Sequence, residues 1–122
     1  MDASTTNGVT TLNPASATIP RKANIQSGAI TAATTAGTST VYTASLTPTL
    51  SGYTDKQVLQ IKFHTACGSN PTLNVDLNGA RKLYKSNGTS APAQISANEC
   101  QATVYTLRYD SALDSGTGGF VM

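Results

Sequence analysis

His64 is the only histidine in the sequence, and hydrolysis of the ordinary kind would need it as a general base beside a nucleophile and an orienting group. It lies in the run Val58 to Thr65, on the side of that run expected to face water, where a strand histidine is an ordinary surface residue. Asp76 stands between Val75 and Leu77, and Glu99 precedes Cys100; neither has a second carboxylate at a spacing suited to acid and base work. Asp110 and Asp114 could offer oxygens to calcium. Their stretch, Asp-Ser-Ala-Leu-Asp-Ser-Gly-Thr-Gly-Gly, lacks the alternating ligands and closing glutamate of a calcium loop, and reads as a turn. No glycine-rich loop of the phosphate-cradling kinds is present. These residues point away from an enzyme and from any cofactor, and a small hydrolase is the third of three functional readings.

Cys67 and Cys100 are the only cysteines, too few with one histidine for a structural zinc site. Each sits at the end of an expected strand. If those strands are neighbours, a disulfide is within reach; the alternative is two small buried thiols, which a reducing cytoplasm favours. Arg81, Lys82 and Lys85 form the densest basic cluster, yet a formal charge of +2 is too small and too dispersed to argue for nucleic acid. On a strand these cations make a solvated face and discourage edge-to-edge aggregation.

Alternation supplies the elements that position these groups. Leu73, Val75 and Leu77 alternate with Thr72, Asn74 and Asp76, and Asn78-Gly79 can turn the chain tightly into Arg81 to Lys85, with Leu83 inward. Leu59, Ile61 and Phe63 define a long strand, and Tyr105, Leu107 and Tyr109 another, which alternation carries back to Cys100 and Gln101. Val41 to Leu46 is a shorter candidate with Tyr42, Ala44 and Leu46 on one side, and Phe120-Val121-Met122 a closing one. Twenty threonines favour strands, and Ser, Gly and Asn favour turns, so the expected fold is all-β: an antiparallel β-sandwich or flattened barrel over residues 39–122. Its expected core is Leu59, Ile61, Phe63, Leu73, Val75, Leu77, Leu83, Tyr105 and Leu107.

Residues 1–38 are of different material. Up to Thr40 the charged residues are Asp2, Arg21 and Lys22 alone, and the large aliphatics follow no period, so the segment lacks the apolar area to offset the roughly 1 to 2 kcal/mol per residue of backbone ordering. It is expected to be an extended arm for attachment to a virion protein or another subunit, with Val9, Leu12, Ile19 and Ile25 as apolar pegs and Arg21 and Lys22 meeting acidic positions. No leader-like segment and no apolar run near the ~18 residues of a membrane span is present, so synthesis in a cytoplasm without membrane insertion is expected. Asn87-Gly88-Thr89, formally a glycosylation acceptor, then reads as a turn.

Several short pieces, taken in order, bring a family into view: Val41-Tyr42-Thr43-Ala44, Leu46-Thr47-Pro48, Phe63, Thr72-Leu73-Asn74-Val75, Gly79-Ala80, Tyr109-Asp110 and the closing Gly-Phe-Val. Together they resemble a small β domain of tail fibres and other surface proteins of tailed bacteriophages. The resemblance covers about the last 80 residues, and Cys67 stands where an asparagine would open the turn after the Phe63 strand. It implies a non-enzymatic virion part, commonly trimeric, and transfers no catalytic residues. The expectation is a homotrimeric capsid decoration, a cement or head-fibre protein held by its arm on the major capsid protein. A tail-fibre domain binding a host glycan or protein receptor through Ser86 to Gln94 or Asp110 to Gly119 is the alternative. The lack of a shaft or repeat favours the first.

Overall fold

The computed structural model describes residues 26–87 and 90–122. After two helical residues, Gln26 and Ser27, the described chain is mainly strand and turn, with a 3₁₀ turn at Asp114–Gly116. Nine strands form one nearly closed, barrel-like sheet: β1 (Ala32–Thr34), β2 (Ala36–Gly37), β3 (Val41–Ala44), β4 (Val58–Lys62), β5 (Thr72–Val75), β6 (Arg81–Asn87), β7 (Ser90–Gln94), β8 (Val104–Asp110) and β9 (Gly119–Val121). The order is β1-β4-β8-β9-β6-β5-β3-β2, with β7 added to β6.

The two strands at the ends of that order are contiguous in the chain. β1 pairs in parallel with β4, and β2 antiparallel with β3; between them Thr35 donates its N–H to Lys62 O at 2.8 Å. One short strand therefore changes partner at a buried threonine and closes the sheet on itself. The stretch Ala32 to Gly37, expected in the arm from its composition, is a barrel stave. The arm residues Val9, Leu12, Ile19, Arg21, Lys22 and Ile25 lie outside the described residues.

Alternation placed most of the core correctly. Leu59, Ile61, Phe63, Leu73, Val75, Leu83 and Leu107 are buried, with Tyr42, Ala44, Leu46, Ile95, Tyr109 and Phe120, and Tyr105 packs against them half-buried. Fully burying such a side chain contributes on the order of 1.5 to 3 kcal/mol each before entropy is counted. The antiparallel expectation holds for five of the eight strand pairings, and three are parallel: β1 with β4, β3 with β5, β6 with β9. Alternation states which face of a strand is buried and carries no information on the direction of its neighbour.

Three expectations need correction. Leu77 is 91% exposed, because the chain leaves the strand at Asp76, where φ becomes positive. The strand expected from Cys100 begins at Val104; before it Thr103 N–H donates to Gln101 O and Gln101 N–H to the Tyr105 hydroxyl, a local turn. The expected loop Ser86 to Gln94 is mostly strand, the hairpin β6–β7, with its ladder shifted between Lys85 and Asn87. Pro92 argues against a central strand, and β7 lies off the closed path, pairing β6 alone.

Cys67 and Cys100 are joined by a disulfide with Cα atoms 5.4 Å apart. The neighbouring strands that it required are β4 and β8, antiparallel from Val58 opposite Arg108 to Lys62 opposite Val104. Beyond their ends Cys67 N–H donates to Cys100 O at 3.0 Å and continues the ladder to the bridge.

Candidate functional site

Most groups that could have done chemistry are engaged in holding the fold. His64 Nε2–H donates to Gly37 O at 3.1 Å, and Nδ1 is hydrogen-bonded with the Thr35 hydroxyl at 2.7 Å. The same hydroxyl accepts from His64 N–H at 2.9 Å. The imidazole thus pins the strand joint, with both nitrogens occupied. The basic cluster is likewise shared out. The Arg81 guanidinium lies 5.0 Å from the centre of the Tyr53 ring and its Nε donates to the Tyr109 hydroxyl, Lys82 pairs with Asp114 at 2.9 Å, and Lys85 pairs with Glu99. The Asp114 partner holds the Lys82 ammonium above its usual range. Asp110 Oδ1 accepts from Ala112 N–H at 2.9 Å, so the turn from Asp110 to Gly119 is braced by both of its aspartates. Among the described residues no group of three or more His, Cys, Asp or Glu could hold a metal ion.

The Lys85 ammonium and the Ser96 N–H beside Glu99 hold its carboxyl below the usual carboxylate range. A depressed carboxylate stabilises the fold above its ordinary pKa, and the contribution is lost as pH falls through its folded value. The melting temperature of Glu99→Gln is therefore expected to lie slightly below wild type near neutrality and to converge with it below about pH 4. A constant gap down to pH 2 would contradict this.

The most constructed surface is the barrel end at the β5–β6 turn, residues 76–80. Asp76 turns its carboxylate inward and accepts from Leu46 N–H at 3.1 Å and Leu50 N–H at 2.7 Å. Asn78 donates from Nδ2 to Leu50 O and Val75 O, at 2.8 and 2.9 Å, and Asn74 Oδ1 accepts from Gly79 N–H at 3.0 Å. The Tyr53 hydroxyl accepts from Val75 N–H at 2.9 Å and donates to Gly79 O at 2.7 Å. Burial pushes this phenol up. Its ring stacks on Tyr109 at 5.1 Å and meets Phe120 edge-on at 5.3 Å. Two side chains on the turn and one on the facing loop therefore bind residues 45–53 to the turn, leaving Leu77 outside the clamp. Sequence reasoning missed this arrangement; an Asp followed two residues later by Asn-Gly was its available signal.

Two shallow depressions accompany it. One, of about 190 Å³, is lined by Asp55, Lys56, Arg108, Tyr109 and Asp110. Asp55 there accepts from Ser111 N–H at 3.0 Å, and that bond holds its carboxyl below the usual range. The other, of about 330 Å³, lies along β1, β4 and the start of β8, against Ala32, Ala33, Gln60, Lys62 and Val104.

No protein-family model matches the chain, and no curated protein is significantly similar to it.

Proposed function

We propose that the protein is a non-enzymatic structural protein of a tailed-bacteriophage virion, a capsid decoration of the cement or head-fibre type mounted through its N-terminal segment. The observation that carries this reading is where the phage-like pieces fall. Val41–Ala44 and Thr72–Val75 are β3 and β5, paired side by side over their whole length, and Tyr109-Asp110 lie opposite Phe120 and Gly119 of β9. These strand pieces adjoin in the frame, which is compatible with their belonging to one shared domain. The engagement of His64, Asp76, Asp114 and Glu99 in structural contacts suits a protein whose work is contact. In this role Val9, Leu12, Ile19 and Ile25 are the pegs that seat on the major capsid protein, Arg21 and Lys22 meet its acidic positions, and the mature location is the virion.

A second reading, a tail-fibre domain that binds a host surface glycan, is favoured by the β6–β7 hairpin. β9 pairs with Lys82 to Tyr84, so Lys85 to Asn87 and the start of β7 project past it, exposing Ser86, Asn87 and Ala91. The two are separated by counting copies on purified virions and by deleting residues 1–25, which leaves every described strand intact. Decoration is expected to give many copies on the head, and the deletion to abolish head binding while the thermal melt of the domain is unchanged. A few copies confined to the tail, with host adsorption blocked by the free protein, would overturn it.

A further inference from the structure

We propose that Asn78 is a site of covalent self-modification, a one-way latch: opening of the barrel end lets the Gly79 amide convert the asparagine to aspartate or isoaspartate, and the clamp then cannot close again. The chemistry belongs to the dipeptide. Gly79 N attacks Asn78 Cγ and gives up its proton, the Cγ–Nδ2 bond breaks and ammonia leaves, and water opens the resulting five-membered imide at either carbonyl. No reactant besides water is consumed. Glycine favours the attack because no side chain crowds its nitrogen.

In the closed clamp both reacting groups are held back. Asn78 Nδ2 donates to Leu50 O at 2.8 Å and to Val75 O at 2.9 Å, and Gly79 N–H donates to Asn74 Oδ1 at 3.0 Å. All three bonds must open for the attack, since the carboxamide has to swing towards Gly79 while the nucleophilic nitrogen leaves Asn74. Asp76 and Tyr53 oppose that opening, the first through the Leu46 and Leu50 amides and the second by donating to Gly79 O. The reaction is therefore tied to local unfolding of residues 45–53 and 76–80. Afterwards reclosure fails. Aspartate at position 78 sets an acceptor oxygen where Nδ2 had donated to two carbonyls, and isoaspartate adds a methylene to a turn that begins with left-handed Asp76 and Leu77. The sequence holds a comparison for this site: Asn87-Gly88 is the same dipeptide, and Asn87 is exposed with no side-chain hydrogen bond among the described residues.

The inference does not depend on the capsid role. Its test is peptide mapping by mass spectrometry, with enzymatic methylation to mark isoaspartate, on the full chain held in mildly alkaline buffer well below its melting temperature. Wild type is compared with Asn74→Ala and with wild type in urea, and Asn78→Asp is melted beside wild type. In the folded wild type Asn78 is expected to convert roughly tenfold more slowly than Asn87, or slower still, and in urea at a comparable rate. Asn74→Ala, which frees the Gly79 N–H and leaves the Asn78 donors in place, is expected to speed conversion at Asn78 and leave Asn87 unchanged. Asn78→Asp is expected to melt several degrees below wild type. Equal rates at the two sites in the folded protein, an Asn78 rate that Asn74→Ala does not change, or an Asn78→Asp protein that melts with wild type would each overturn the proposal. If Asn74→Ala does not fold, the ratio of folded to urea rates in wild type decides with the Asn78→Asp melt.

Discussion

Replacing Asp76 by alanine is expected to lower the unfolding free energy by on the order of 2 to 4 kcal/mol, the cost of taking a charged acceptor from two backbone donors. Leu46 is buried, and the same carboxylate accepts from its N–H and from that of Leu50. No neighbouring side chain is placed to substitute, since Asn74 is committed to Gly79 and Asn78 donates to Leu50 and Val75 carbonyls. Asp76→Asn keeps one oxygen acceptor and should fall between alanine and wild type. Urea unfolding measures the series. A loss below about 0.5 kcal/mol for alanine, the range of ordinary surface substitutions, would mean that solvent satisfies the two amides and that the clamp does not hold the loop.

Removing the Cys67–Cys100 bridge, by Cys67→Ser with Cys100→Ser or by reduction, is expected to cost roughly 3 to 4 kcal/mol in the chain-entropy account, given the 33-residue separation that it spans. Both cysteines are buried, so the serine pair also places hydroxyls in an apolar site and should fare no better than the reduced wild type. Against a typical domain stability of about 5 to 15 kcal/mol this is a large share. Melts with and without reductant should differ by well over ten degrees, on the scale of about 4 to 8 °C per kcal/mol for a domain of this size. Coincident melts, or free thiols titrating in the unreduced denatured protein, would show that the bridge is absent in solution.

How much of this was legible in the sequence depended on side-chain contrast. β4 and β5 could be read because Leu59, Ile61, Leu73 and Val75 alternate with Gln60, Lys62, Thr72 and Asn74, a pattern the burial follows. β1 and β2 could not. Ala-Ala-Thr-Thr-Ala-Gly offers no apolar contrast, and its place in the sheet comes from backbone pairing and from Thr35, whose small hydroxyl fits under His64. Leu77 was misassigned because the alternation runs on through Asp76, while hydrogen bonds to residues 46 and 50 end the strand there. The Asp-Leu-Asn-Gly signal marks a turn there and does not name so distant a partner. The candidate site was hidden for the same reason, since it consists of main-chain atoms held by Asp76, Asn78 and Tyr53, distant in the chain and unremarkable one by one.

The position of β9 bears on how the protein is made. This three-residue strand lies between β8 and β6, and it joins the half-sheet β1-β4-β8 to the half-sheet β6-β5-β3-β2. It also follows the other described strands in the order of translation. While the ribosome still holds Gly119 to Val121, the sheet cannot close between β8 and β6, so the facing edges of those two strands stay open and the place of Phe120 in the core is unfilled. Closure must then come after release of the strand, through pairings that link residue 82 to 119 and 108 to 121. Folding dominated by such distant contacts is slow, and until it finishes the two open edges are the places where one newly made copy can pair wrongly with another.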